Sequence, residues 1–539
     1  MPESVRLLKS KRFLPFFLTQ LLGAFNDNLY KNGLTIFIVF QAANISKDAS
    51  NALVNIAAAL FILPFFLFSP IAGQLADKFE KSILIQRIKL LEIGIMLLAG
   101  IAFYLQNPVL LIVILFLMGS QSALFGPVKY SLLPQALEPK ELVGGNAMVE
   151  FGTFLAILMG LIASVFIISF GTHLLSIAVV IFAIIGYWAS RSIPSLTAAA
   201  PELKISFNII SQTRNIMRDA RQNSTVFYSI MGISWFWFIG ITYVTQLPNY
   251  VRYELGGNEQ VYILLLAMFS IGIGAGSFLC ERLSGRIVEL GLVPMGALGL
   301  TVFGADIYFA QSVVAGAPLI HNALINSALI SPMTFIISGN NLRVMFDIVM
   351  LGISGGIYIV PLYALVQQRS DEKKRSRIIA ANNVLNALFM VAASLYGLFA
   401  LSAGVSIPML FLIMALMNAA IALFIFKQVP EFIMRLVIWL LVHSIYRVKK
   451  IDLDKIPDTG PAVLVCNHAS FVDALILAGS IKRPIRFVVH YKIFQIPMLS
   501  FILRTANAIP IADAKEDSAL MEQAFNKISQ SLKEGELVC

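Results

Sequence analysis

The order of apolar and polar positions divides the chain into two unequal parts. Over the first 428 residues, long apolar stretches alternate with short polar loops. A stretch of about 20 apolar residues is long enough to cross a bilayer as a helix. We therefore predict twelve transmembrane helices, six on each side of a polar linker at residues 191–223, near 13–40, 52–75, 83–105, 108–133, 144–169, 172–190, 225–250, 259–281, 286–310, 343–367, 377–400 and 406–428.

The pattern changes after residue 428. Residues 429–450 have an apolar centre that is too short to span and basic residues around it, which predicts an interfacial helix lying on the bilayer. From residue 451, predicted strands and helices alternate, as is typical of an α/β domain. The predicted organisation is an all-α membrane protein with bundles at 1–190 and 224–428, followed by a partial α/β domain at 451–539.

Composition supports a membrane protein and argues against a nucleic-acid partner. Hydrophobic residues make up 58% of the chain and charged residues only 13%, against about 25% charged in soluble domains. The net charge of +10 comes from basic residues in short loops, where they set topology. The positive-inside rule places the linker, both termini and everything after residue 428 in the cytoplasm. The three cysteines form no C-x-x-C pair, so we expect no structural metal site.

The first predicted helix carries a polar patch of Asn26, Asp27 and Asn28, with Lys31 one turn further on. A carboxylate at mid-bilayer costs about 2.5–3.5 kcal/mol on insertion scales, so such residues normally face a water-filled cavity. These four residues are candidates for binding a zwitterionic or phosphate-bearing headgroup. The alternative is that Asp27 and Lys31 form an i,i+4 pair that only neutralises itself.

A loop from Gly73 to Lys81 suggests a conformational latch. Gly73 lets two helices approach closely, and Asp77 can cap the following helix and pair with a base across the loop. The alternative is a generic polar turn, although a looser copy with Arg282 follows in the second half. The loop resembles the signature of the major facilitator family, with Glu80 at the usual glycine position, and this implies the two-bundle major facilitator fold. The latch candidates are Gly73, Asp77, Lys78, Lys81 and Arg282.

The segment at residues 125–134 (FGPVKYSLLP) predicts a Gly/Pro break in the fourth helix with Lys129 on the buried side, suited to gripping a phosphate. It resembles the F-G-P-x-K-Y-x-x-x-P stretch of bacterial lysophospholipid transporters, which implies a lysophospholipid substrate. The alternative is that Lys129 snorkels to the interface. Most of the other acidic residues in or near apolar runs are expected to be structural; they are Glu92, Glu150, Asp306 and Asp347.

In the C-terminal part, His468 and Asp473 stand in the string NHASFVD, between a predicted strand and a predicted helix. Asp473 can orient His468, leaving the other ring nitrogen to take a proton from a substrate hydroxyl that attacks a thioester. The string resembles the first block of the glycerolipid acyltransferases. That resemblance implies a coenzyme A or acyl-carrier-protein thioester as acyl donor, acyl carrier protein as a partner, and no bound cofactor. The family's F-P-E-G block should begin where the chain stops, so we expect an incomplete domain that is inactive as it stands.

The two resemblances together predict a protein that carries lysophospholipid, chiefly lysophosphatidylethanolamine, to the cytoplasmic leaflet. Some bacterial proteins that resemble this chain fuse such a transporter to an acyltransferase, and the complete protein is expected to reacylate its cargo. Membrane lipid and lysophospholipid are the expected partners. Two alternatives stay open: a facilitator for an unrelated small solute, and a phosphatidate-forming acyltransferase that uses the bundles as an anchor.

Overall fold

The structure, a computed structural model, describes residues 6–38, 47–284, 288–315, 329–337, 341–440, 448–449, 451–457, 460–467, 470, 472–481 and 485–539. Over these residues, twelve helices have 19 or more residues and lie six on each side of the linker. The first six are α1 (Leu14–Ile36), α2 (Lys47–Lys78), α3 (Lys81–Tyr104), α4 (Pro108–Ala136), α5 (Leu142–Ile168) and α6 (Thr172–Ser190).

The linker contains one helix, α7 (Ile209–Arg221), and six long helices follow it. Most residues of α7 are exposed or half-buried, in keeping with the polar linker sequence. The long helices of the second half are α8 (Ser224–Asn249), α9 (Glu259–Leu283), α10 (Leu292–Ala315), α12 (Leu342–Arg369), α13 (Arg375–Ser402) and α14 (Ile407–Gln428), with a short helix α11 (Pro332–Ile337) before α12.

Local sequence sets where several helices begin. Asparagine side chains accept backbone N–H groups at the starts of α4, α7, α8 and α9, through Asn107, Asn208, Asn223 and Asn258. An N-cap of this kind satisfies amides that have no partner inside the helix. The predicted break in α4 is wrong, because the helix continues through Pro127. Transmembrane helices tolerate proline where neighbouring helices supply other partners.

Ten helices among the described residues are long and apolar enough to cross a membrane. Of the twelve long helices, α1 and α3 are outside this set, and they hold the polar patch of α1 and a run of charged residues in α3. The protein is therefore a multi-pass membrane protein with two helix bundles, which confirms the predicted fold class. The domain boundaries themselves stay predictions.

In the second bundle, α9 and α12 approach closely through glycines. A Cβ atom at Gly276 would collide with the carbonyl oxygen of Ile353, and one at Gly352 would collide with that of Phe269. Small residues allow helix backbones to approach closely in a membrane. These two helices therefore form a tightly packed part of the second bundle.

The chain divides into two compact units, one formed by Met1–Val288 with Gly296–Leu423 and the other by Glu289–Met295 with Phe424–Cys539. Two parallel pairings join strand β5 (Leu537–Val538) to β1 (Ala462–Val463) and to β2 (Ile485–Arg486), and a third joins β3 (Val488–His490) to β4 (Ile509–Ile511). The order of strands and helices agrees with the predicted α/β pattern. The elements are α15 (Glu431–Leu440), β1 (Ala462–Val463), α16 (Asp473–Ser480), β2 (Ile485–Arg486), β3 (Val488–His490), α17 (Pro497–Thr505), β4 (Ile509–Ile511), α18 (Ser518–Lys533) and β5 (Leu537–Val538).

Candidate functional site

The three consecutive polar residues of α1 point to different partners. Asn26 Nδ2 donates to Glu92 Oε1 on α3 at 3.2 Å, whereas Asp27 Oδ2 accepts from the Ser122 hydroxyl on α4 at 2.7 Å. Asn28 Nδ2 donates back to the Ala24 carbonyl of its own helix at 2.8 Å. Consecutive residues of a helix do not face each other. The polar patch read from the sequence is therefore divided among three directions, and Asp27 is the residue directed at α4.

Lys31 does not pair with Asp27. Its ammonium lies 5.6 Å from the centre of the Phe61 ring on α2, and the hydrogen bond recorded for the Asp27 carboxylate comes from Ser122. Both side chains are half-buried. Among the described residues, Asp27 and Lys31 attract each other electrostatically without a hydrogen bond or close ion contact between them, so each group keeps hydrogen-bonding capacity for another partner.

A buried ion pair on α3 supports this region. Lys89 Nζ lies 2.6 Å from Glu92 Oε2, and their side chains are only 1% and 2% exposed. Gln121 Nε2 also donates to Glu92 Oε2, at 3.1 Å, and the Gln121 Oε1 atom lies 3.2 Å from the Ser122 hydroxyl. A chain of contacts thus runs from Glu92 through α4 to Asp27.

The sequence carries a signal for the ion pair of Lys89 and Glu92. Lys89 and Glu92 stand three residues apart inside an apolar run, which is the spacing of neighbours on one helix face. Room for the lysine comes from Gly23 on α1, where a Cβ would lie 2.5 Å from Lys89 Nζ. The partners Gln121 and Ser122 carried no such signal, because their role depends on which helices pack together.

Lys129 faces the interior of the first bundle. Its Nζ atom lies 3.3 Å from Thr153 Oγ1 on α5 and 4.8 Å from the centre of the Tyr130 ring. The Tyr130 hydroxyl donates to Glu150 Oε1 at 2.8 Å. The Tyr130 ring stacks on Tyr363 of the second bundle, with centroids 4.4 Å apart and planes at 4°. This position agrees with an inward-facing lysine more than with one that reaches the interface.

The predicted latch joins the two bundles, but through partners that the sequence did not indicate. Asp77 Oδ1 accepts the backbone N–H of Ser376, and Asp77 Oδ2 accepts from Arg377 Nε, each at 3.0 Å. Asp77 thus caps α13 across the interface instead of capping α3, which corrects the expectation. Glu80 caps α3 by accepting the N–H groups of Ser82 and Ile83, each at 2.9 Å.

Glu80 caps α3 in place of Asp77 because of where the two residues lie in the chain. Asp77 lies in the last turn of α2, whereas Glu80 is the residue directly before α3. A Cβ at Gly73 would lie 2.8 Å from the Ala380 side chain, so the glycine lets α2 reach α13. Since Asp77 is fully buried, separating the bundles here exposes a charge pair that is otherwise held in low dielectric.

The remaining latch candidates, Lys78, Lys81 and Arg282, have surroundings that differ from those of Asp77. Lys78 Nζ is 5.9 Å from the ring of the adjacent Phe79, and Lys81 is buried at the start of α3. Arg282 is exposed in the last turn of α9. Asp219 of the linker helix α7 does contact this region, since its Oδ1 atom lies 3.2 Å from Lys374 Nζ.

Of the two candidate catalytic residues, Asp473 lies among the described residues, after β1 in chain order. Asp473 is the first residue of α16, and its Oδ2 atom accepts the backbone N–H of Ser470 at 2.8 Å. This bond shapes the turn between the strand and the helix. His468 lies outside the described residues, so its predicted contact with Asp473 stays a prediction. The carboxyl edge of a parallel sheet is where α/β proteins commonly bind ligands.

An ion pair fixes the centre of the small sheet. Arg486 donates from Nε and Nη2 to the two carboxylate oxygens of Glu536, at 2.8 and 2.7 Å. The Arg486 guanidinium lowers the pKa of Glu536 below its ordinary value. This bidentate contact aligns β2 with β5, which follows Glu536 directly.

Comparison with known proteins identifies both parts of the chain. The family described as Major Facilitator Superfamily matches residues 16–341, and the family described as Acyltransferase matches residues 447–539. The chain is 27% identical over 418 residues to the lysophospholipid transporter LplT of Klebsiella pneumoniae (strain 342), and 29% identical over 422 residues to that of Escherichia coli O1:K1 / APEC. Each alignment covers 76% of this chain and 94% of the relative.

Solved structures share the fold of the membrane part. A variant of the Escherichia coli fucose:proton symporter FucP superposes with a TM-score of 0.56 at 16% identity, covering 78% of this chain and 99% of that one. The human organic anion transporter MFSD10 (TETRAN) gives a TM-score of 0.58 at 12% identity, covering 76% and 98%. Likeness at these identities concerns the fold alone. The family match, which spans well over half of the sequence, shows that the chain belongs to the major facilitator superfamily and carries an acyltransferase domain at its C-terminal end.

Proposed function

We propose that the protein transports lysophospholipid, chiefly lysophosphatidylethanolamine, to the cytoplasmic leaflet of a bacterial inner membrane. The observation that carries the proposal is Asp27, a carboxylate held by Ser122 inside a bundle that also contains Lys31 and Lys129. The relatives named lysophospholipid transporters support the same substrate class.

A lysophospholipid needs a carrier because its acyl tail and its headgroup favour different surroundings. Its single acyl tail is apolar and stable in lipid. Its charged headgroup is very costly to transfer into hydrocarbon without partners. Charged side chains inside a bundle offset that cost, because they replace part of the water around the headgroup. The tail can stay in lipid while the headgroup crosses between the bundles.

Directed transport requires that the bundles separate on one side at a time. The contacts between bundles described above involve Asp77, Tyr130 and their partners, which lie in the linker-side halves of α2 and α4. Asn146 of α5 and Gln367 of α12 add two reciprocal amide hydrogen bonds, at 2.7 and 2.9 Å. If the linker is cytoplasmic, as the basic loops favour, this is a state closed toward the cytoplasm, and release of cargo requires these bonds to break.

Reacylation on the cytoplasmic side would make uptake one-way by removing the product. His468, oriented by Asp473, would take a proton from the free hydroxyl of the lysolipid. The hydroxyl oxygen would then attack the carbonyl carbon of a coenzyme A or acyl-carrier-protein thioester. The new ester forms as the C–S bond breaks, and the leaving thiolate takes the proton from His468. A carrier and an enzyme that share one intermediate give a physical reason for their fusion in one chain.

Uptake of labelled lysophosphatidylethanolamine into spheroplasts tests the proposal. Cells with the wild-type protein should accumulate label, and Asp27→Ala should lower the rate about tenfold or more, because a charged partner of the headgroup is lost. Asp452→Ala is the matched control, since Asp452 is exposed and pairs with Lys455 at 2.6 Å. No uptake by the wild type would contradict the proposal and favour a different solute.

A further inference from the structure

A second group of polar side chains lies next to the bundle interface, around Lys129. Lys129 Nζ is 3.3 Å from Thr153 Oγ1, which in turn lies 3.4 Å from Gln20 Oε1. Asp27 and Glu150 act on the Lys129 charge electrostatically, yet the hydrogen bond described for its ammonium goes to a neutral hydroxyl. Lys129 therefore offers donor capacity that no carboxylate in the described residues takes up.

Glu150 has unused acceptor capacity, whereas Lys129 has unused donor capacity. The residue is fully buried, and its Oε1 atom accepts from Tyr130, whereas Oε2 has no hydrogen-bond partner among the described residues. Gln20 is 1% exposed, and its Nε2 donor likewise has none there. Burying such groups without partners costs free energy. The cluster thus presents an anionic acceptor at Glu150 and donors at Lys129 and Gln20.

Aromatic rings of both bundles border the acceptor side. Tyr130 stacks on Tyr363, and Trp237 Nε1 donates to the Tyr363 hydroxyl at 3.3 Å. Faces of tyrosine and tryptophan rings attract ammonium groups. Because Tyr363 and Trp237 belong to the second bundle, this side of the cluster changes when the bundles separate.

The charges of the cluster specify a ligand. Lys129 and Glu150 together carry no net charge, and neither do the neighbouring Asp27 and Lys31, so a ligand with one negative and one positive group leaves nothing uncompensated. We infer that Lys129 with Gln20 binds the phosphate of a zwitterionic lysolipid and that Glu150, with Tyr130 beside it, binds its primary ammonium. The inference rests on the proposed function and deepens it, because it assigns headgroup selectivity to Glu150. A phosphoglycerol headgroup would leave the Glu150 charge without a cation.

Two lysolipids with the same tail provide the test. The full-length protein in liposomes is given lysophosphatidylethanolamine or lysophosphatidylglycerol, as wild type, Glu150→Gln and Glu138→Gln. Glu138 is the matched control, because it is exposed and pairs with Lys140 at 2.8 Å. Glu150→Gln should slow ethanolamine-lipid flux about tenfold or more while glycerol-lipid flux is unchanged or faster. Glu138→Gln should change neither flux.

The outcomes separate this inference from the proposed function. Equal slowing of both lipids by Glu150→Gln, or no change in selectivity, overturns the assignment while lysolipid transport itself stands. If the wild type carries neither lipid, the proposed function fails and the inference falls with it. A measurement on the wild type guards against misfolding of the variant: water-soluble glycerophosphoethanolamine should inhibit flux more strongly than glycerophosphoglycerol. Equal inhibition would overturn the assignment.

Discussion

The two bundles of the membrane part bury their ion pairs to different extents. The first buries charge: Lys89 pairs with Glu92, and Asn26 and Gln121 complete the hydrogen bonds of the carboxylate. In the second, the ion pair of Arg343 with Asp306 is partly exposed, at 49% and 31% of the two side chains. Glycines bring α9 and α12 into backbone contact, as Gly119 does for α4 and α2 in the first bundle. Polar contacts and close backbone approach are both ways to associate helices in a membrane. Under the proposed function, the candidate headgroup residues Asp27, Lys129 and Glu150 all belong to the first bundle.

The aromatic residues of the second bundle agree with that division. Trp235 Nε1 donates to Asn418 at 3.0 Å, which is a neutral contact, and Tyr243 stacks on Phe411 with centroids 4.5 Å apart. Neutral contacts of this kind fix helices without placing charge in the bundle. Loss of an ion pair should therefore destabilise the first bundle more than the second.

The largest expected effect comes from the buried ion pair of the first bundle. Glu92→Gln should destabilise the folded protein by about 3–5 kcal/mol, because Lys89 keeps a buried charge without its carboxylate. The measurement is the loss of folded protein in a denaturant or thermal titration of the purified chain. The double variant Lys89→Met/Glu92→Leu should recover most of the loss, since apolar side chains can replace a buried pair. Equal losses in the single and double variants would show that the charge is not the cause.

The next largest destabilisation should come from a steric change in the second bundle. Gly276→Ala places a methyl group against the Ile353 carbonyl, and overpacking of this kind typically costs about 1–3 kcal/mol. Gly240→Ala on α8 is the matched control, because a Cβ there meets no atom within 4 Å. Thermal melts of the two variants should diverge, with only Gly276→Ala less stable than wild type. Similar melts would contradict the close approach of α9 and α12.

The smallest expected effect concerns the cap of α3. Burial raises the pKa of Glu80, but hydrogen bonds from the amides of Leu196, Ser82 and Ile83 outweigh it and hold the pKa below the ordinary 4.5. Glu80→Ala should cost about 1 kcal/mol, as loss of an N-cap usually does.

The lowered pKa of Glu80 determines how its contribution to stability changes with pH. The stabilisation by Glu80 is fully present above the ordinary pKa and is lost as the pH falls through the lowered one. The difference in melting temperature between wild type and Glu80→Ala should therefore shrink between about pH 7 and about pH 3. Glu80→Gln keeps an acceptor oxygen and should lose less. A difference that does not change with pH would show that the carboxylate charge plays no part.

Apolar length and element order were predictable from the sequence, and partners across the bundles were not. The stretch 343–367 predicted α12 closely, because a transmembrane helix is defined by its own composition. Asp27 and Lys129 stood out for a similar reason, since a charge in an apolar run is rare. Asp77 was found as a latch residue, but its partner Arg377 lies 300 positions away. Which helix comes to lie against α2 is a property of the packed bundles, and no local pattern contains it.

The most direct test of the account is whether the purified protein moves a lysolipid headgroup across a bilayer and needs Asp27 to do so. Fluorescent lysophosphatidylethanolamine in one leaflet of proteoliposomes is followed by quenching from outside, for wild type and Asp27→Asn. The account predicts exchange between leaflets that is faster than in protein-free liposomes and is slowed about tenfold or more by Asp27→Asn. Equal rates for wild type and protein-free liposomes, or for wild type and Asp27→Asn, would contradict it.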